Sequence, residues 1–134
     1  MAENFSLFDI SGRAMAAQLV RLNTSASNMA NAGSVASSEA DAFRAIKPVF
    51  RTVTDANGFA TVAVDRIDRG AAPPSKRHAP DHPLADANGD VWEAAVDGAA
   101  ELVEMLETSR QYQNNVQVLQ TAKSLMLDTL RIGQ

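Results

Sequence analysis

GAAELVEMLETSRQYQNNVQVLQTAKSLMLDTLRI, residues 98–132, decides the fold of this chain. Leu102, Met105, Ser109, Tyr112, Val116, Leu119, Lys123, Met126 and Leu130 follow one another at alternating steps of four and three, the spacing that keeps side chains on one stripe of a helix. Leu106, Leu125 and Leu127 widen the stripe. Asp97 is placed to cap the first turn, Glu101, Glu104 and Glu107 gather early, and Lys123 and Arg131 fall late, as the helix dipole favours. Gly133 is placed to end the helix. At about 1.5 Å per residue such a helix is roughly 50 Å long, more than a globule of this size needs. Something outside the chain is expected to cover part of it.

Working outward, the N-terminal thirty residues repeat the pattern in Phe5, Phe8, Gly12, Met15, Leu19, Leu22, Ala26 and Met29. A helix from about Ser6 to Ala32 follows, with Gly33 as a stop. Between the helices the period changes to two. Val49, Arg51 and Val53 alternate with Phe50 and Thr52, and Val62, Val64 and Arg66 with Thr61, Ala63 and Asp65. These are strands, and Asp55-Ala56-Asn57-Gly58 is a hairpin turn, since Asn-Gly tolerates positive φ. Residues 69–90 carry four of the five prolines and both histidines with one bulky apolar residue, Leu84, and read as an extended loop. Residues 31–42, rich in Ser, Ala and Asn, read as a second flexible connection.

The expected fold is therefore mainly α: long N- and C-terminal helices pairing as a coiled-coil-like hairpin, with a small β-containing insert. The division is an N-terminal helix over 1–33, a β-hairpin and Pro-rich loop insert over 34–96, and a C-terminal helix over 97–134. Composition agrees with a thin structure. Of 134 residues 24 are alanine, and without them the 46% apolar share falls below a third, too little for a large core.

A net charge of −4 argues against a nucleic-acid partner, and no apolar run reaches the roughly 20 residues of a membrane span. Glu3 and Asp9 occupy positions where a secretory signal would place its basic and apolar regions, so no cleaved signal is expected. There is no cysteine, which excludes disulfides and thiolate metal sites. His78 and His82 stand four apart, but Pro80 and Pro83 prevent the helix that would bring them onto one metal. Asp86-Ala87-Asn88-Gly89-Asp90 resembles the start of a calcium loop, yet lacks its closing Glu and flanking helices and is read as a tight turn. Neither G-x-S-x-G nor G-x-x-x-x-G-K-[ST] occurs. No catalytic residue, cofactor site or metal site is expected, and the chain is not read as an enzyme.

Charge distribution is the remaining signal. No charged residue lies between Leu22 and Ser38 or between Gln111 and Ala122, and 111–120, QYQNNVQVLQ, carries six side-chain amides. Faces of Asn, Gln, Ser and Ala can pack on several neighbours without burying unpaired charge. They read either as a polymerisation surface or as a solvated polar face. Met15, Met29, Met105 and Met126 suit adaptable packing, Tyr112 an interface with a polar partner for its hydroxyl, and Trp92 an anchor for the loop end.

Three motifs carry a resemblance. Leu22-Asn23 with Ala26-Ser27-Asn28-Met29-Ala30-Asn31-Ala32 is similar to the N-terminal signature of flagellar axial proteins. Ser109-Arg110-Gln111-Tyr112-Gln113-Asn114-Asn115-Val116, continued by Leu119, Lys123, Met126, Leu130 and Ile132-Gly133-Gln134, resembles the matching C-terminal end. His82-Pro83-Leu84-Ala85-Asp86-Ala87-Asn88-Gly89-Asp90-Val91 is similar to a segment marking the proximal-rod type of the flagellar basal-body rod family. Glu93-Ala94-Ala95-Val96-Asp97 departs from the Pro-Asn-Val-Asp element often found there.

The resemblance implies a structural subunit of the proximal rod, polymerising through its terminal helices into the hollow drive shaft that transmits motor torque. It implies export by the flagellar type III apparatus without signal cleavage and residence in the periplasmic rod of the basal body. The implied partners are other copies of the chain, adjacent proximal and distal rod subunits and the inner-membrane-ring junction protein, with the rod cap and export apparatus as transient ones. The implied interface comprises Leu22, Asn23, Asn28, Met29, Asn31, Tyr112, Gln113, Asn115, Val116, Leu119, Lys123, Met126 and Leu130, with the amides bonding across or between subunits. The alternatives are another flagellar rod subunit and a cytoplasmic helical adaptor that binds partner helices.

Overall fold

The computed structural model describes residues 6–133, so Phe5 and Gln134 of the motifs above lie outside the described residues. The elements run α1 (Leu7–Asn31), β1 (Val35–Ala36), β2 (Ile46–Thr54), β3 (Ala60–Arg69), β4 (Ser75–His78), β5 (Asp90–Glu93) and α2 (Gly98–Ile132). Helix α1 starts with a reciprocal cap: Asp9 N–H donates to Ser6 Oγ at 3.1 Å, and Ser6 N–H donates to Asp9 Oδ2 at 2.9 Å. The Ser6 hydroxyl, donating to Asp9 Oδ2 at 2.6 Å, and then the Ser6 N–H hold the Asp9 carboxyl below its ordinary range. Helix α2 starts on Asp97, whose carboxylate accepts from Ala99 and Ala100 N–H at 3.1 and 3.2 Å. Both helices occupy the stretches where the 3.6-residue period is sustained.

Strands β2 and β3 form an antiparallel two-stranded sheet from Ile46↔Arg69 to Thr54↔Ala60, with a bulge between Val49 and Phe50. The hairpin packs on α1 through both strands. A second antiparallel sheet has the order β1-β5-β4, and Val91 at its centre is fully buried. The two connections expected to be irregular therefore both contain strands. Val35 and Ala36 pair with Glu93 and Trp92, while Ser75–His78 pairs with the other edge of β5.

The expectation of a mainly α, coiled-coil-like hairpin with a small β insert is overturned. Helix accounts for 47% of the structure and strand for 24%, arranged in two antiparallel sheets, so the fold is α+β. The physical reason is visible in what is buried. Among the described residues the buried apolar side chains are Ala17, Ala42, Pro74, Val91 and Ala122, against seven buried polar ones: Ser11, Thr24, Ser25, Asn28, Thr61, Glu101 and Thr108. Six of those seven lie on α1 or α2 and none belongs to the predicted apolar stripes. The helices touch through polar residues, and the hairpin packs where a second helical face was expected. No helix among the described residues is long and apolar enough to cross a membrane.

Candidate functional site

The α1–α2 contact is built from two matched polar rows. Gln18, Arg21, Ser25 and Asn28 on α1 have the spacing three, four, three, as do Glu101, Glu104, Thr108 and Gln111 on α2. Arg21 Nε donates to Glu104 Oε1 at 3.0 Å, its Nη2 donates to the same oxygen, and its Nη1 donates to Gln111 Oε1 at 3.1 Å and Gln18 Oε1 at 3.2 Å. Gln18 Nε2 donates to Gln111 Oε1 at 2.9 Å, and Gln111 Nε2 to Glu107 Oε1 at 3.2 Å. Gln18 meets Gln111 while Asn28 meets Glu101, so the helices run antiparallel.

Asn28, only 1% exposed, ties three elements together. Its Nδ2 donates to Glu101 Oε1 on α2 and to the Ile46 carbonyl at the start of β2, both at 2.9 Å. Its Oδ1 accepts the Ile46 N–H at 2.8 Å. The amide thus serves the free edge of β2 as a further strand residue would, and both its ends and the Ile46 main chain find partners, whereas the buried Thr108 Oγ1 farther along the α2 row has none among the described residues.

With polar rows facing inward, half of each apolar stripe faces outward. Met15, Leu22 and Met29 on α1 and Met105, Tyr112 and Leu119 on α2 are half-buried at the edges of the contact. Leu19 is 44% exposed, Leu102 50%, Met126 57% and Leu130 69%. Leu7 and Phe8 from α1 and Ala122, Leu125, Met126, Thr129 and Leu130 from α2 line an almost wholly apolar open groove of about 440 Å³. The last turns of α2 are exposed on several sides, through Leu125, Met126, Leu127, Leu130 and Ile132.

Of the residues expected at subunit contacts, Asn23, Gln113, Lys123, Met126 and Leu130 are exposed. Leu22, Met29, Asn31, Tyr112, Asn115, Val116 and Leu119 are half-buried, and Asn28 is buried. Asn31 Nδ2 donates back to the Ser27 carbonyl at 2.8 Å. From the sequence, Glu101 and Glu104 are read only as dipole-favoured residues and Gln111 only as part of the amide-rich C-terminal motif, and Gln18 and Arg21 receive no role. Their signal lies in the two polar rows of identical spacing, but periodicity alone does not say whether a polar row turns inward or outward.

The segment between the helices carries a separate charged cluster. Asp90 accepts from Lys76 Nζ at 2.6 Å and lies 2.8 Å from His78 Nδ1, and these two partners hold its carboxyl below the ordinary range. Asp90 in turn raises Lys76, whose ammonium stands 5.9 Å from the Trp92 ring centroid. Arg77 pairs with Glu93. His82 Nδ1 instead accepts the Leu84 N–H at 3.1 Å, so the two histidines have separate partners. Among the described residues no three His, Cys, Asp or Glu side chains are grouped to hold a metal ion.

Residues 87–132, from the turn before β5 to the end of α2, match the family described as flagellar basal body rod FlgEFG protein C-terminal. Flagellar basal-body rod protein FlgC of Salmonella typhimurium is 47% identical over 131 residues, which cover 96% of this chain and 97% of the relative. The protein of that name from Escherichia coli is 46% identical over the same shares. That from Buchnera aphidicola subsp. Schizaphis graminum is 35% identical over 132 residues, again 96% and 97%. Similarity of this extent takes in both helices, both sheets and the outward apolar stripes, and the chain belongs to the FlgC family of flagellar basal-body rod proteins, structural subunits of the basal-body rod.

Proposed function

We propose that this subunit polymerises through the outward faces of α1 and α2 into the proximal, hollow part of the rod and there transmits motor torque. The observation that carries this reading is the orientation of the helices. Arg21, Asn28, Glu101, Glu104 and Gln111 close the intramolecular contact, leaving Leu102, Met126 and Leu130 outside it. Apolar side chains exposed on several sides of the α2 end need more than one neighbour to cover them, which is the geometry of a helical lattice and not of a single dimer.

In this reading Leu22, Asn23, Met29, Asn31, Tyr112, Gln113, Asn115, Val116, Leu119, Lys123, Met126 and Leu130 line contacts between subunits. Asn28 acts on those contacts indirectly, by fixing α1 against α2 and β2. Helices α1 and α2 form the assembling core, and the segment 34–96 faces outward or toward other rod proteins. The partners are further copies of the chain, proximal and distal rod subunits and the inner-membrane-ring junction protein, with the rod cap and the type III export apparatus engaged during assembly. Residence in the periplasmic rod after export without signal cleavage completes the proposal. Torque transmission then needs no reaction centre; it needs close-packed helices that resist shear.

The test is complementation of a strain lacking its own copy of the gene. The parent chain should restore rods and swimming, whereas Met126→Asp with Leu130→Asp should restore neither while leaving the purified monomer's helical content unchanged. Full-length rods and normal swimming with the double variant would refute the proposal.

A further inference from the structure

The chain contains one tetrapeptide twice, folded alike in two different surroundings. Asp55-Ala56-Asn57-Gly58 joins β2 to β3, and Asp86-Ala87-Asn88-Gly89 leads into β5. In the first turn Asp55 Oδ1 accepts Asn57 N–H at 2.9 Å and Phe59 N–H at 2.8 Å. In the second, Asp86 Oδ1 accepts Asn88 N–H at 2.8 Å and Asp90 N–H at 2.9 Å. The Asp carbonyl accepts the Gly N–H in both, at 3.1 and 2.9 Å, and Gly58 and Gly89 have φ of 83° and 77°.

The surroundings differ. Residues 56–60 are all exposed, and a Cβ placed on Gly58 would meet nothing within 4 Å. On Gly89 it would stand 3.0 Å from Pro80 Cβ and 3.2 Å from His78 Cε1. The Gly89 carbonyl also accepts the Ala79 N–H at 2.9 Å, and the following Asp90 is fixed by Lys76 and His78.

Asparagine before glycine is the sequence in which a main-chain nitrogen reaches the preceding carboxamide with least obstruction. We propose that Asn57 is a site of spontaneous, succinimide-mediated deamidation, and that Asn88 is its protected counterpart. The Gly58 nitrogen bonds to Asn57 Cγ and loses its proton. The Cγ–Nδ2 bond breaks, and the amide nitrogen leaves as ammonia carrying that proton. Water then opens the five-membered ring at either carbonyl, giving aspartate or, with the main chain rerouted through the former side chain, isoaspartate. No oxidant, metal or further reactant enters.

Before attack the Gly58 N–H must leave the Asp55 carbonyl and the turn must rotate, so the rate follows local opening. At the hairpin tip the residues around Asn57 are exposed and nothing packs on Gly58. At Asn88 the Ala79–Gly89 hydrogen bond and the packing of Pro80 and His78 must give way as well. The product adds one negative charge beside Asp55, and isoaspartate adds a main-chain carbon to a turn whose register the Asp55 carboxylate sets. The tip therefore records the age of the molecule in a form that loosens the hairpin end.

The test incubates the purified full-length chain at mildly alkaline pH and follows both sites by peptide mapping, with isoaspartyl methyltransferase labelling to identify the rerouted product. In the native chain Asn57 should convert about tenfold faster than Asn88, since the second turn has at least one more hydrogen bond to break. In urea the two sites should convert alike, because the tetrapeptides are identical. His78→Ala should raise the rate at Asn88 and leave Asn57 unchanged. Native conversion at Asn88 as fast as at Asn57 would overturn the inference, as would no native conversion at Asn57 under conditions in which the unfolded chain converts.

Discussion

Replacing Asn28 by alanine removes a side chain of α1 that bonds to both α2 and β2. Three hydrogen bonds go at once: Nδ2 to Glu101 Oε1, Nδ2 to the Ile46 carbonyl, and Ile46 N–H to Oδ1. Each group left behind without a partner costs about 1–3 kcal/mol if it stays dry. The site opens on one side into a cleft lined by Arg21, Lys47, Pro48, Phe50 and Glu104, which admits water to part of the junction. The expected loss is therefore about 2–4 kcal/mol, below the dry sum but large for one substitution. Asn28→Asp sharpens the prediction. It keeps an acceptor for the Ile46 N–H but turns a carboxylate toward the Glu101 carboxylate and the Ile46 carbonyl, and should destabilise at least as much as alanine at neutral pH. Urea unfolding of both variants measures this. With a slope of about 1–3 kcal/mol per molar urea, the midpoint should fall by roughly 1–2 M or more. Amide exchange at Ile46 should accelerate in step. A midpoint unchanged within error, or an aspartate variant more stable than the alanine one, would show that Asn28 does not join these elements.

The remaining expectations use other parts of the chain. The two turn glycines form a matched pair: Gly58→Ala should cost about 1 kcal/mol, the strain of a side chain at positive φ, and Gly89→Ala clearly more because its Cβ would press on Pro80 and His78; thermal melts of the two decide it. Asp90 has a lowered folded pKa, caused first by Lys76 and then by His78, so its contribution is complete above the unfolded value of about 3.9 and is lost as pH falls through the folded one. The β4–β5 pair should therefore loosen below about pH 4, seen in the fluorescence of Trp92, the single tryptophan, and Asp90→Asn should show the loosened signal already at neutral pH with no acid step.

Local sequence signals were legible where they run long or where turn chemistry is stringent. The three-and-four spacing over 25 and 35 residues marks both helices, and Asp97 starts α2 because a carboxylate there meets two free N–H groups. The β2–β3 hairpin shows in alternation and in Asn57-Gly58, and Asp86–Asp90 forms the tight turn its residues suggest. Strands of two and four residues have no period to read. Val35–Ala36 and Ser75–His78 become strands only because Asp90–Glu93 lies between them and supplies partners on both edges.

Sequence alone therefore determined that two long helices with apolar stripes flank a hairpin, and that their terminal motifs match those of flagellar rod proteins. Periodicity establishes that a stripe exists, but it does not say which neighbour covers it. Tertiary structure decided that polar rows turn inward, because Arg21 finds Glu104, Gln18 finds Gln111, and Asn28 finds both Glu101 and the main chain of Ile46. A buried polar side chain is tolerable only when its partners are in place, and these partners come from segments distant in sequence. Once they are satisfied within the chain, Leu102, Met126 and Leu130 are left on the outside, where other subunits can cover them.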